Sequence, residues 1–431
     1  MAVILYIANL FQSPAIFISL IACIGLVLQK KHFTDVIKGT FKAMLGIFVL
    51  LIGVDVMIGA MGPMTQAFSS MTARESAPLA DFGEFMGQWG SNMGLVMVIG
   101  FIINLLLARF TPLKTVYLTG HMMLFYSMLW LGLGVQIGFT GSNLMVFAVI
   151  GYVITITITP QLLMNDMEHL TGKREFSIGH AGTLWCFVAS RVGQLAAKSA
   201  PKEKPSPNME KLDFPKNLEF MKDTTLTGGL IMVLVFAVIA VIIPSEIRGE
   251  VYGNDVVGFT LTNGMRFGAG LVILLQGCRM MMAEIIPAFT GISKKIVPGA
   301  VPALDIPLIY PYGPTSLMFG FIFALGASLA TMSLINISGI SMYVLVPLTA
   351  AVYFDVASGC VFANSYGGRR GVIWWGLIGG CAIMLITTVA MPLVSRTVGT
   401  FVQQMGFSEC SIWIIIVGYI TKFFQAIFGL G

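Results

Sequence analysis

Few side chains in this 431-residue sequence could do chemistry in an apolar setting, and Asp305 is the most informative of them. It lies in the segment PGAVPALDIPLIYPYGPTSLMFG, which begins at Pro298 and carries no other charge. The prolines remove backbone donors and break a helix, and broken backbone at membrane depth is tolerated only where protein buries it or water lines it. An ionisable residue at such a break is by default a substrate or ion site. The alternative is an interfacial loop whose carboxylate faces water.

Two of the four histidines are candidates for ligand contact. His180 lies in FSIGHAG, where nearby glycines let the backbone approach a ligand and a neutral imidazole can donate to or accept from a hydroxyl. The alternative is a hydrogen bond that only stabilises a hairpin. His121 opens a predicted span with Phe125 four residues later on the same helical face. That ring could form a wall for a sugar, although such an aromatic more often faces lipid or the core. His32 and His169 are expected to be solvated.

Composition indicates that the elements positioning these residues lie in a membrane. Apolar residues make up 56% of the chain and charged residues 10%, whereas a soluble domain carries about 25% charge. The length allows roughly ten to twelve spans of about 20 residues each, one of them predicted from Met342 to Tyr353. The small share of polar residues excludes a separate soluble catalytic domain. The net charge of +5 comes from basic residues placed singly or in pairs, which fits cytoplasmic loops and argues against nucleic-acid binding.

Motifs for covalent chemistry or cofactor binding are missing from the sequence. It contains no Walker loop, zinc-ligand spacing, nucleophile elbow or kinase signature, so we expect no catalytic residue, no metal and no cofactor. The six cysteines lie in apolar surroundings without a CxxC pair, which is typical of packing residues.

The chain divides at its one long hydrophilic stretch, a predicted cytoplasmic linker at 198–225. The first half, residues 1–197, contains a predicted re-entrant hairpin near 176–190. The second half, residues 226–431, contains another near 298–316 and ends in an extra span. Lysine-rich loops place the linker inside and the N-terminus outside under the positive-inside rule.

An internal repeat lies across this linker. Residues 39–63 align with residues 263–287 at a constant shift of 224 (287 − 63 = 224), and the same shift places Asp81 on Asp305. The aligned pairs include Gly46 with Gly270, Leu50 with Leu274, Gly53 with Gly277 and Met57 with Met281. Loop charge gives the two copies opposite directions. We therefore predict an inverted repeat, which is typical of transporters with a midplane site between broken helices.

Four runs of sequence carry a resemblance to a known family. They are LTGHMM at 118–123, FSIGHAG at 176–182, GCRMMMAEIIPAFTGISKKIVPGAVPALD at 277–305 and VFANSYGGRRG at 361–371. They resemble enzyme IIC, the membrane subunit, of the ascorbate family of the bacterial phosphoenolpyruvate-dependent phosphotransferase system. The resemblance implies an all-α polytopic protein of the inner membrane with about eleven transmembrane helices, set in lipid as a homodimer and acting as an elevator-type transporter. It also implies soluble IIA and IIB partners, with IIB phosphorylating the sugar as it arrives inside.

The same resemblance implies a set of substrate-binding residues. By position they are Phe82, Gly83, His121, Phe125, His180, Ala181 and Asp305, with Asp81 and Tyr126 as additional candidates. The family's ascorbate transporters carry Tyr in place of Gly83 and Gln in place of Phe125 and Ala181. Because each difference removes a donor or acceptor that a hydroxyl-rich ligand would use, the substrate itself stays open.

Two functions of different classes follow. The first is a membrane subunit that moves a sugar or sugar acid inward for phosphorylation by IIB, with no phosphotransfer residue of its own. The alternative is an ion-coupled secondary transporter or channel for a small polyol or organic acid, using Asp305 and Asp81 as proton or cation sites. Neighbouring genes for IIA and IIB would favour the first function, and uptake driven by a proton gradient alone would favour the second.

Overall fold

The computed structural model describes residues 14–71, 76–199, 201, 206–212 and 223–428 and is nearly all helical there. The helices are α1 (Pro14–Leu28), α2 (Phe33–Ser70), α3 (Phe82–Phe110), α4 (Gly120–Gln136), α5 (Gly141–Thr171), α6 (Thr183–Lys198), α7 (Thr224–Ile242), α8 (Ser245–Tyr252), α9 (Val256–Lys295), α10 (Pro314–Ser338), α11 (Thr349–Ala351), α12 (Ser358–Ala390), α13 (Gly399–Gln404) and α14 (Ser408–Phe428). The predicted outer N-terminus and most of the predicted linker lie outside the described residues.

Seven helical runs among the described residues are long and apolar enough to cross a membrane. They are Phe33–Phe68, Phe82–Phe110, Gly141–Thr171, Thr225–Ile242, Val256–Lys295, Pro314–Ser338 and Thr349–Leu393. A helix that is apolar on all sides must be buried in protein or lie in lipid, which explains why these sequences form long helices with many exposed aliphatic side chains. The figure of about eleven spans stays a prediction.

A small parallel sheet departs from the all-α prediction. Strands β1 (Thr115–Tyr117) and β2 (Ser177–Ile178) both pair with β3 (Val301–Leu304), so that β3 lies in the centre. Sequence periodicity cannot reveal strands this short, and their ladder bonds come from segments far apart in the chain. Backbone freed by the breaks in the helical ladder is therefore satisfied by strand pairing.

The predicted span from Met342 to Tyr353 is wrong. Helix α10 ends at Ser338 and is capped by Gly339, which adopts a left-handed conformation, and residues 340–348 are not helical. The Asn336 amide both donates to the carbonyl of Leu345 and accepts from its N–H, so a side chain replaces helical hydrogen bonds. The helical run resumes at Thr349, continues through a π turn at Val352–Ala357 and passes into α12.

Helices α2 and α9 pack against each other in antiparallel directions through their glycines. A Cβ atom on Gly53 would lie 2.3 Å from the Leu274 nitrogen, and one on Gly277 would lie 2.2 Å from the Leu50 nitrogen. These two contacts exchange under the 224-residue shift, since 277 − 53 and 274 − 50 are both 224. The contacts at this crossing therefore follow the register predicted from the sequence.

The non-helical segments beyond these helices follow the same register. Residues 77–80 and 301–304 differ by 224, and neither segment is helical. The N–H groups of Val301 and Ala77 donate to Lys114 and Met342, while the carbonyls of Leu304 and Ala80 accept from Gly179 and Thr400. Each break in the chain thus makes equivalent hydrogen bonds at its beginning and its end.

Candidate functional site

The three strands bring His121, His180 and Asp305 together. Each residue follows the carboxyl end of one strand: His121 opens α4 after β1, His180 follows β2, and Asp305 follows β3 directly. Because the strands are parallel, these ends meet at one edge of the sheet. Residues separated by about 60 and 125 positions in the sequence thereby become neighbours through ladder bonds that only folding forms.

Asp305 is buried, with 9% of its surface exposed, which excludes the solvated-loop alternative. Its Oδ1 accepts a 2.8 Å hydrogen bond from the Ile306 N–H and so caps the short 3-10 helix Ile306–Tyr312. Its Oδ2 lies 3.6 Å from Nε2 of His121. One carboxylate oxygen thus fixes the backbone, and the other faces an imidazole and the cavity described below.

His180 lies in a tight turn between β2 and α6. Thr183 closes the turn, because its hydroxyl donates to the His180 carbonyl at 2.7 Å and accepts from the His180 N–H at 3.0 Å. Protein atoms fill the space beside both nearby glycines, and the ligand approach predicted for them from the sequence stays a prediction. A Cβ on Gly179 would lie 3.0 Å from the Ala303 carbonyl oxygen, and one on Gly182 would lie 2.7 Å from Asp355 Oδ1.

A cavity of about 230 Å³ lies beside these three polar residues. Typical drug-sized pockets span about 300–1,000 Å³, so this one suits a smaller ligand. Its walls are apolar and include Phe125, Phe354, Phe407, Met405 and four side chains of α2: Leu50, Leu51, Val54 and Ile58. A few polar groups in an apolar enclosure can hold one orientation of a small hydroxylated molecule.

The polar groups provide both a donor and an acceptor. The Gly182 N–H donates to Nδ1 of His180 at 3.0 Å, so the proton of the neutral ring belongs on Nε2. His180 is then a donor and Asp305 an acceptor.

One ligand atom from each of His121, His180 and Asp305 lies within 4.8 Å of the others, and such a group could hold a metal ion. In the neutral ring of His180, however, Nδ1 accepts from the Gly182 N–H and Nε2 carries the proton, which favours hydrogen bonding to a ligand over coordination.

The other predicted site residues lie at different distances from the cavity. Phe125 lines it and contacts the rings of Phe401 and Phe407 at 5.2 and 5.9 Å. Ala181 and Tyr126 are buried in the layer behind His180, where the Tyr126 hydroxyl donates to the His180 carbonyl at 3.4 Å. None of the cavity lining comes from the group of Asp81, Phe82 and Gly83.

The group of Asp81, Phe82 and Gly83 lies at the beginning of α3. Asp81 is exposed and accepts from the Glu84 N–H as the cap of that helix. Phe82 donates its N–H to the Thr400 hydroxyl, and its ring contacts Phe401 at 5.7 Å. Phe401 also contacts Phe125. Phe82 thus contacts the cavity wall through one aromatic ring, that of Phe401.

Two buried acids near His180 were not among the site residues predicted from the sequence. Asp355 and Glu409 are both fully buried, and each occurs in an apolar stretch, VYFDVASG and FSECSIW. The signal was present, since an ionisable residue inside a membrane span is by default a functional candidate. Glu409 accepts from the N–H of Leu184, and its own N–H donates to the carbonyl of Ala181. It therefore holds the turn that carries His180.

Comparison with known proteins gives two findings. The family model EIIC-GAT, described as the PTS system sugar-specific permease component, matches residues 9–422. The chain is also similar to the "Ascorbate-specific PTS system EIIC component" of Mycoplasma pneumoniae, with 28% identity over 338 residues, which cover 68% of this chain and 50% of the relative. The chain thus spans about half the length of the curated relative it matches.

Proposed function

Because this chain belongs to the EIIC-GAT family of sugar-specific permease components of the phosphotransferase system, we propose that it carries a small sugar or sugar acid inward for phosphorylation by a soluble IIB protein. The observation that supports this most is the 230 Å³ cavity, in which the paired strand ends present His121, His180 and Asp305 to one space. The family and the long apolar helices make the protein a multi-pass membrane protein of a sugar transport system. Its substrate, the phosphorylation by IIB and the transport mechanism are our proposals.

The ligand that this cavity suits best is a molecule with neighbouring hydroxyl groups. Asp305 Oδ2 accepts from a hydroxyl, and His180 Nε2–H donates to an oxygen of the same molecule. The rings of Phe125 and Phe407 cover its less polar face. Matched donors and acceptors replace the water that the ligand loses, since a buried group left unpaired costs about 1–3 kcal/mol.

We further propose an elevator movement of the ligand site relative to helices α2 and α9. The cavity is bordered on one side by α2 and on the other by the strand ends, α4 and the π turn. The α2 residues that line the cavity are aliphatic, so they make no hydrogen bond to the ligand. The ligand site can therefore move along α2 without breaking one. A homodimer and an inverted repeat complete the proposal, the repeat being supported by the symmetric contacts of Gly53 and Gly277.

Transport experiments distinguish this function from ion-coupled transport. Purified protein in vesicles should take up one member of a panel of ascorbate, pentitols, hexitols and aldonic acids only when phosphoenolpyruvate, the general phosphotransfer proteins and the IIA and IIB proteins are supplied inside. The product should be the sugar phosphate. Uptake of unmodified substrate driven by a proton gradient alone would favour the ion-coupled alternative instead.

The phosphoryl group should never reside on this chain. Four of the six cysteines are buried and two are half-buried, and none is disulfide bonded. A reactive thiolate needs an exposed, cationic setting. IIB should therefore be the last protein to carry radiolabel from phosphoenolpyruvate, and the label should pass from it directly to the sugar. Stable label on this chain would contradict the proposal.

A further inference from the structure

Asp355 is a buried acid for which the proposed transport step gives no role. It lies within the π turn Val352–Ala357, and none of its surface is exposed. Turns of this kind inside helices occur frequently at functional sites. A carboxyl group inside a membrane protein is costly unless it is paired, so both side-chain oxygens of Asp355 are expected to have a partner.

The first oxygen, Oδ2, holds the beginning of α14. It accepts from the N–H of Ser408 at 2.8 Å and from the Ser408 hydroxyl at 2.8 Å. A carboxyl oxygen at this place caps the helix and interacts favourably with its dipole. The preceding residue, Phe407, lines the cavity and contacts the His180 ring at 5.7 Å. The cap therefore fixes one aromatic wall of the ligand site.

The second oxygen, Oδ1, faces His180. It lies 3.5 Å from Nδ1 and has no hydrogen-bond partner among the described residues. The approach depends on Gly182, because any larger residue would bring a Cβ within 2.7 Å of this oxygen. Nδ1 accepts from the Gly182 N–H, so its lone pair is directed to that side of the ring.

A buried carboxylate oxygen beside a nitrogen lone pair is repulsive unless a proton lies between them. Resting on the proposed function, we propose that Asp355 is a positioning residue of the ligand site, whose protonated Oδ1 shares the Nδ1 lone pair of His180 with the Gly182 N–H as a second donor and so keeps the Nε2–H donor aimed into the cavity. Its Oδ2 holds the Phe407 wall at the same time. The ionisable groups around the His180 ring are Asp355 on the π turn, His121 on α4, Asp305 after β3 and Glu409 on α14.

Two substitutions separate this role from a purely structural one. Asp355→Asn keeps an acceptor for Ser408 and supplies an amide N–H toward Nδ1, whereas Asp355→Leu has a similar size and provides neither. We expect Asp355→Asn to retain uptake of the transported panel sugar within about threefold and Asp355→Leu to lose about tenfold or more. Ser408→Ala, which removes one of the two donors to Oδ2 and leaves the other, controls for weakening of the helix cap alone.

The deciding measurement needs no ligand and so stands even if the proposed transport fails. With four histidines in the full chain, nitrogen NMR of histidine-labelled protein in nanodiscs can assign His180 by comparison with His180→Gln. Between about pH 6 and pH 8, wild type, Asp355→Asn and Ser408→Ala should show one neutral form with the proton on Nε2. Asp355→Leu should add a second population. Protons on both nitrogens in the wild type, or an unchanged spectrum in Asp355→Leu, would overturn the proposal.

Discussion

At the residue scale, single side chains of the site use one polar atom to hold the fold and another to face the ligand. Asp305 uses one oxygen to cap a 3-10 helix and presents the other to the cavity. His180 uses Nδ1 to accept from its own turn and leaves Nε2 for a ligand. Such groups are held by the fold before the ligand arrives, so little conformational freedom is lost on binding.

The first prediction concerns Asp305 and His180 acting on one ligand. Asp305→Asn keeps the size and one acceptor but removes the charge, so it should weaken substrate binding roughly tenfold or more. His180→Ala should do likewise. The two losses should be less than additive in the double mutant, because both groups contact the same molecule. Isothermal titration with the transported panel sugar measures all three affinities.

The matched control is Asp255→Asn. Asp255 also caps a helix, accepting from the Gly258 N–H, but it is exposed and does not line the cavity. This variant should bind like the wild type and show that amidation of a capping Asp is not itself the cause. Wild-type affinity in Asp305→Asn would remove Asp305 from the ligand site.

At the element scale, glycines decide how closely the long helices approach. Between α2 and α9 the Cβ positions of Gly53 and Gly277 are already occupied by backbone atoms of Leu274 and Leu50. Backbone cannot move aside as a flexible side chain can. Small residues at helix crossings are the usual way in which membrane helices gain close packing.

The second prediction follows from this crossing. Gly53→Ala should force α2 and α9 apart at a cost of about 1–3 kcal/mol and lower the midpoint of thermal unfolding in detergent. Gly277→Ala should have a similar effect because its contact is the equivalent one in the repeat. Gly59→Ala, on the exposed face of the same helix with nothing within 4 Å, should leave the midpoint unchanged or raise it. Equal midpoints for Gly53→Ala and Gly59→Ala would contradict the packing argument.

At the scale of the whole molecule, basic residues collect in groups that predict its orientation. Lys30, Lys31, Lys294 and Lys295 line one cleft at the ends of α1 and α9. The Arg370 side chain donates to the Ser199 carbonyl, and its N–H donates to the Ser206 hydroxyl, which ties α12 to the described part of the linker. The positive-inside rule predicts that both groups face the cytoplasm.

The third prediction tests this orientation by cysteine labelling. Only Cys23 and Cys381 need replacement by Ala, because the other four cysteines are buried. In that background, cysteines at the exposed positions Lys294 and Arg370 should react with a membrane-impermeant maleimide only in inverted vesicles. A cysteine at exposed Glu250, beside Arg248, should react in intact cells. Labelling of the Arg370 position from outside would undo the inverted-repeat arrangement.

The sequence by itself determined the class of protein, the register of the α2–α9 crossing and three polar residues of the cavity. Membrane class follows from composition, since 10% charge cannot cover a soluble surface. The register at Gly53 and Gly277 was readable because close helix packing demands glycine at fixed spacing, and this constraint is local to each helix. Asp305 and the two histidines stood out because ionisable groups are costly in an apolar chain.

Only the tertiary structure decided how these residues meet. Three strands of two to four residues place His121, His180 and Asp305 at one edge, and no local pattern encodes a ladder between segments so far apart in sequence. The function of Gly182 was likewise undecidable from the sequence, because the group it admits, Asp355, is 173 residues away (355 − 182). Side-chain contacts across a fold depend on how elements pack, and that information exists only once the helices have assembled.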